Sequence, residues 1–265
     1  MRTAHAVLAL RAIAGRELHK FLRQPGRLIS SLVRPTLWLV VFAAGFQNVF
    51  GVAIMPPYET YVEYRVYMVP GLAMMVCLFN GMQSSLAMVY DREMGVMRLL
   101  LTAPLPRAYL LACKLLGTTF LSVLQVLAFF VLAVLFGIDL SMAQVAMAMP
   151  VVALGALMLS AFGLMLSVYI KQLENFAGTM NFVIFPMFFL STALYPLWKM
   201  EESGAQWIYV LTRFNPFTHA IEALRFALYG QIEITSLAVV TASTIVFYLV
   251  AAVGYDPQRG LIKSV

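Results

Sequence analysis

The run Tyr90-Asp91-Arg92-Glu93-Met94-Gly95-Val96-Met97-Arg98-Leu99-Leu100-Leu101-Thr102-Ala103-Pro104-Leu105-Pro106-Arg107 decides how the rest of the chain is read. It is too polar to lie in lipid, yet long apolar runs flank it on both sides. Asp91 is suited to cap a helix N-terminus, and Glu93 in the first turn would complement the helix dipole. Met94, Met97 and Leu101 then form an apolar strip that stays in contact while a partner shifts, and Pro104 and Pro106 end the helix sharply. The pattern predicts a short helix over 91–101 that docks a protein on a membrane face; on physical grounds alone a solvated turn is the other reading.

Composition supports the membrane. Of 265 residues, 62% are hydrophobic and only 11% charged, against about 25% charged in soluble domains; the mean hydropathy is +0.86. The net charge of +6 would suit nucleic acid, but the cations cluster at the ends of apolar runs and form no patch among aromatics, so no nucleic-acid partner is expected. Cys77 and Cys113 fall inside or beside apolar spans, which points to packing and not to a disulfide.

Working outward toward the N-terminus, the second span is expected from about Val66 to Val89 and carries Asn80, Gln83, Ser84 and Ser85. Before it lies a loop, Gly51 to Tyr64, whose Tyr58, Tyr61 and Tyr64, with Tyr67, suggest an interfacial belt. The first span is expected from Leu28 to Val49, too long for a signal-peptide core; Arg34 sits near its start, where it can snorkel. Residues 1–26 are expected to form a basic amphipathic helix suited to the headgroup layer, or a cytosolic flank that only sets orientation, with Val7, Leu10, Ala14, Leu18 and Phe21 on one stripe and Arg16, Lys20 and Arg23 opposite.

Toward the C-terminus, spans are expected at about Tyr109–Phe136, Val145–Ile170 and Phe176–Leu197, the last kinked at Pro186. The segment 198–230 differs in kind, mixing charges with aromatics. Asn215-Pro216 opens a helix in which Phe217, Ile221, Leu224 and Leu228 share a face, and Gly230 suits its C-terminal end. It is too broken for a span, so half-inserted outer helices are expected, or an interfacial loop. A sixth span runs from about Ile232 to Val253.

Cations set the orientation. Arg2, Arg11, Arg16, Lys20, Arg23, Arg27, Arg92, Arg98, Arg107, Lys114, Lys171, Arg259 and Lys263 fall on one side; Arg65, Lys199, Arg213 and Arg225 fall on the other. Six spans with both termini cytoplasmic satisfy this bias. The sequence holds no phosphate-binding loop, no zinc-ligand spacing and no nucleophile elbow, so enzyme chemistry, a metal or a cofactor on this chain is not expected. The spans carry no central acid, lysine or histidine of the kind ion-coupled transporters use. Any energy the chain uses must come from outside it.

The run Asp91 to Leu105 resembles the cytoplasmic signature of ABC type-2 transporter permeases, close to R-E-x-G-T-x-E-x-L-L-x-x-P-L, matched at Arg92, Glu93, Gly95, Leu99, Leu100, Pro104 and Leu105. Val96 and Met97 depart from the commoner Thr and acidic residue. Asn215, Pro216, Glu222 and Arg225 resemble the family's outer N-P…E-x-x-R stretch. The resemblance implies an all-α integral membrane protein, one permease domain over 1–265 with six transmembrane helices, an N-terminal interface helix and re-entrant outer helices before the last span. It also implies a dimer of permeases in the bacterial inner membrane, each bound to a separate ATPase subunit that holds the ATP and Mg. On that reading Asp91, Arg92, Glu93, Met94, Gly95, Met97, Arg98, Leu101 and Pro104 contact the ATPase, and Asn215, Pro216, Glu222 and Arg225 close the exit. Phe79 to Ser85 together with Tyr90 to Gly95 is similar to exporters found alongside quinoprotein alcohol oxidation.

Uncharged polar residues are the candidates for a substrate path: Asn80, Gln83, Ser84, Gln125 and Asn181, with Phe185 on a face shared with Phe182 and Phe189. Each could equally join helices through packing or hydrogen bonds. The expected function is export of an amphipathic, lipid-linked or drug-like compound. A membrane-embedded lipid-modifying enzyme, for which only His219 and Glu222 offer an acid-base pair, and a passive channel or scaffold are the alternatives.

Overall fold

A computed structural model of the chain describes residues 3–23, 25–46, 51–52, 56–58, 61–95, 106–170, 172–202 and 204–255. Helix α1 spans Thr3–Leu22, and α2 spans Pro25–Phe46 with proline at its first position, where the missing N–H costs nothing. A two-residue hairpin, Gly51–Val52 against Val62–Glu63, precedes α3 at Tyr64–Glu93. Then follow α4 (Arg107–Leu135), α5 (Met142–Tyr169), α6 (Leu173–Phe189), α7 (Leu197–Glu202), α8 (Gln206–Phe214), α9 (Pro216–Leu228) and α10 (Ile234–Gly254).

Among the described residues, α3, α4, α5 and α10 are the helices long and apolar enough to cross a membrane. Helices α3, α4 and α5 alternate in direction, and α10 runs parallel to α5, its Tyr248 hydroxyl donating to the Ala108 carbonyl at the start of α4. We call the end where α3 finishes and α4 begins the lower end, and the opposite end the upper one. Helix α3 is the core: Tyr67, Met68, Leu72, Met74 and Leu78 on it are buried, and it packs against α2, α4, α5 and α6. Helix α10 is the reverse case, with Ile245, Val246, Leu249 and Val253 all more than half exposed. It presents an apolar face fit for lipid.

Close packing follows from small residues on α3. A Cβ on Gly81 would stand 3.0 Å from the Leu159 carbonyl oxygen and the Ser160 Cα, and one on Gly71 would stand 2.6 Å from the Ala193 Cα. Neither position admits a side chain without moving backbone. Ends are set locally. Ser141 Oγ accepts from Gln144 N at 3.2 Å while Ser141 N donates to Gln144 Oε1 at 2.8 Å, a reciprocal cap that starts α5. Gly230, with φ of 70°, ends α9 as its N–H donates to Ala227 and that of Gln231 to Phe226, as expected from the glycine.

Two expectations need correction. The fifth span, expected to run to Leu197, stops at Phe189 and residues 190–196 turn. Ser191 explains the stop: its hydroxyl donates to the Phe188 carbonyl at 2.5 Å and accepts from Ala193 N at 3.2 Å, so it competes with helix propagation. The tyrosine belt is also absent as such, because Tyr58, Tyr64 and Tyr67 are buried and only Tyr61 of the set is exposed. Tyr58 and Tyr67 pack around a buried arginine described below, and Tyr64 stacks on Tyr67 with ring centroids 6.4 Å apart. Arg34 does not merely snorkel; its guanidinium lies 3.8 Å over the Phe79 ring. Cys77 and Cys113 are free and buried, as packing residues should be.

Candidate functional site

Two polar clusters occupy opposite ends of α3. At the lower end the apolar pattern of α3 carries the helix through Asp91, Arg92 and Glu93, which form its last turn and not the first turn of a new helix. That overturns the expected N-cap role of Asp91. Gly95 is the reason: with φ of 71° it takes the left-handed conformation that ends a helix, and its N–H donates to the Arg92 carbonyl at 3.1 Å. Met94 and Tyr90 are exposed beside it. Met97, Arg98, Leu101 and Pro104 lie outside the described residues.

Acidic side chains at a helix C-terminus oppose its dipole, so each of these needs a compensating partner. Asp91, nearly buried, lies 3.6 Å from the Arg16 guanidinium of α1. Arg92 donates from Nη1 to the Ser167 carbonyl at 2.9 Å and from Nη2 to the Ile170 carbonyl at 2.8 Å, satisfying the last carbonyls of α5 with a cation where the dipole favours one. Glu93 Oε1 accepts from Leu173 N at 2.8 Å, supplying a carboxylate to the start of α6. The three charges therefore tie α3 to α1, α5 and α6. Burial pushes the Tyr255 hydroxyl up to about 12, with the adjacent Arg92 and Arg107 opposing the rise. Sequence reading named the three charges but missed Arg16, Ser167, Ile170 and Leu173. Gly95 was the available signal, since it marks the end of the helix they belong to.

At the upper end Arg225 is fully buried. It donates from Nη1 to the Glu222 carboxylate, which is one helical turn away as expected, and from Nη2 to the Thr192 carbonyl at 2.8 Å. Its guanidinium lies 4.1 Å over the Tyr67 ring, and Tyr67 itself donates to Thr192 O at 3.0 Å. Tyr58 closes the cluster against Tyr229, with ring centroids 4.9 Å apart, and burial pushes the Tyr58 hydroxyl up. Asn215 does double duty. Its Oδ1 caps α9 by accepting from Phe217 N at 3.0 Å, and its Nδ2 donates to Met187 O at 2.8 Å and Leu190 O at 2.6 Å at the end of α6. Pro216 takes the first helical position. His219 is turned away from Glu222, bonding the Arg213 carbonyl at 3.0 Å and Ser236 Oγ at 3.3 Å. The acid-base pair considered from the sequence is thus split.

The candidate path residues do not converge. Asn80 donates to Ser122 Oγ at 2.6 Å and Ser84 pairs with Thr118 at 2.7 Å, both buried between α3 and α4. Gln125, one turn beyond Ser122, is buried with neither amide atom bonded among the described residues, and Gln83 is half-buried. Asn181, Phe182 and Phe185 lie on the exposed face of α6. The stretch Phe79 to Ser85 packs α3 against its neighbours.

A buried core of long apolar helices with charged clusters at its two ends is the architecture of a multi-pass membrane protein. Residues 9–229 match the family described as ABC-2 type transporter, and the chain belongs to that family. It is 30% identical to the ycf38 protein of Porphyra purpurea over 77% of this chain and 68% of the other. It is 25% identical to the inner membrane transport permease YadH of Escherichia coli K12, over 96% of this chain and 97% of that one. It is also 25% identical to the daunorubicin resistance ABC transporter permease DrrB1 of Streptomyces coeruleorubidus, over 86% and 77%.

Proposed function

We propose that the chain is the membrane half of an ATP-driven exporter in a bacterial inner membrane, working as a dimer of permeases with one separate ATPase subunit on each. The lower end faces the cytoplasm, where the cation bias puts it. Helix α2, with 22 residues, is long enough to cross at about 1.5 Å per residue. Helix α6, with 17 residues, ends within the bilayer because Asn215 satisfies its last carbonyls. Together with α3, α4, α5 and α10 these make six spans with both termini cytoplasmic. The shorter α8 and α9, meeting at Asn215, form the re-entrant pair, and Glu222 and Arg225 hold it against α3 as the exit.

The observation that carries this reading is the lower clasp. A segment at 94–104 pushed by an ATPase would move α3, and Asp91, Arg92 and Glu93 would pass that movement to α1, α5 and α6 together. Asp91, Arg92 and Glu93 then act as transmitting residues, while Met94, Met97, Arg98, Leu101 and Pro104 make the ATPase contact. Named relatives support transport of a drug-like compound, since one is named for daunorubicin resistance. Purifying the tagged chain from its host tests the proposal: an ATPase subunit should accompany it, and ATP should drive flux in inverted vesicles. Gly95→Pro, incompatible with φ of 71°, should abolish coupling while insertion survives. A lone chain with ATP-independent flux contradicts the reading.

A further inference from the structure

A groove of about 370 Å³ at the upper end is lined by Tyr209, Val210, Arg213, Phe214, His219 and Val239. Its walls are fixed by His219, which bonds α8 through the Arg213 carbonyl and α10 through Ser236. Arg213 is exposed on the groove and has no acidic or hydrogen-bonding side-chain partner among the described residues. Beside it, Phe214, which also lines the groove, is 80% exposed. An unpaired guanidinium over an apolar trough, with Tyr209 and Phe214 in the lining, matches a molecule that has an anion at one end and hydrocarbon at the other. Val239 lies on the second turn of α10, so the trough opens where the lipid-facing helix begins.

We propose that this groove holds one phospholipid from the leaflet at the upper end, its phosphate on Arg213 and an acyl chain along Val210, Phe214 and Val239. The assignment rests on α10 crossing the membrane and not on the ATPase reading. Charge favours lipid over a second copy of the chain: the groove lining contains no acid, so a twofold contact through this face would crowd the two Arg213 side chains without neutralising them. The bound lipid buries the exposed face of α8 and fixes its position against α9, next to the exit.

Native mass spectrometry of the detergent-solubilised full chain tests the site, with dioleoyl-phosphatidylglycerol and, in parallel, dioleoylglycerol, which has the same chains and no phosphate. One phosphatidylglycerol should be retained per protomer at concentrations where dioleoylglycerol is lost. Arg213→Gln should weaken retention about tenfold through loss of the charge-assisted bonds, and Arg213→Lys should keep most of it. Val239→Trp, which fills the trough without touching the cation, should produce the same loss and decides the matter if Arg213→Gln fails to fold. Equal retention of both lipids, or retention unchanged by Val239→Trp, overturns the site. So does a Phe214→Cys disulfide that joins two protomers and excludes lipid.

Discussion

Two arginines hold α3, one at each end, and they do it differently. Arg225 is buried completely, with its charge met by Glu222, the Tyr67 ring and the Thr192 carbonyl. Arg92 is only half-buried and holds two carbonyls at the open lower rim. Water can replace the Arg92 contacts at modest cost, whereas losing the fully buried Arg225 leaves the partly buried Glu222 carboxylate and the Thr192 carbonyl without their donor. The upper end is therefore a fixed anchor and the lower end a connection that can be remade.

The comparison breaks first at Arg225. Arg225→Ala should cost about 3–5 kcal/mol, as breaking a buried ion pair does, and should show as lost yield and a large drop in thermal stability in detergent. Next is Asn215→Asp, which keeps the acceptor for Phe217 N but removes both donors to α6. It should cost about 2 kcal/mol, from leaving Met187 and Leu190 carbonyls unsatisfied, and the same thermal assay reads it. At the lower end the balance reverses between stability and activity. Glu93→Ala, removing the carboxylate at the start of α6, should cost only about 1 kcal/mol and Arg92→Ala slightly more, yet both should uncouple ATP hydrolysis from transport. Full coupling in both variants would reduce the clasp to packing.

The smallest effect is expected inside the bundle. Asn80→Ala removes the bond to Ser122, and hydrogen bonds between membrane helices average about 0.6 kcal/mol. Transport rate should hold, because Asn80 joins helices and does not line a path; a strong change in substrate selectivity would restore it as a path residue.

What could be read without coordinates was what depends on neighbours in sequence. The α9 start at Asn215-Pro216, its buried face, its Gly230 end and the Glu222–Arg225 pair are all local patterns, and each stands in the structure. The apolar runs gave the long helices to within a few residues. The failures are of three physical kinds. Ser191 ends α6 through a side-chain bond that competes with the backbone, which an apolar pattern does not register. Tyr58 and Tyr67 look interfacial in the sequence because they pack on Arg225, more than 150 residues away in the chain. Asp91 is misplaced for a third reason: acid residues signal a helix start, but here long-range partners at Arg16 and Leu173 stabilise Asp91 and Glu93 at a helix end.

The central claim is that the protein couples to an ATPase at the lower end of α3. Met94 and Trp207 are exposed to similar degrees, 60% and 65%, at opposite ends of the bundle. Met94→Cys and Trp207→Cys, each carrying a short photo-activated cross-linker in membranes of the native host, make the direct comparison. An adduct with a nucleotide-binding ATPase at position 94 and none at 207 is the predicted result; an ATPase adduct at 207, or none at either position, would contradict the account.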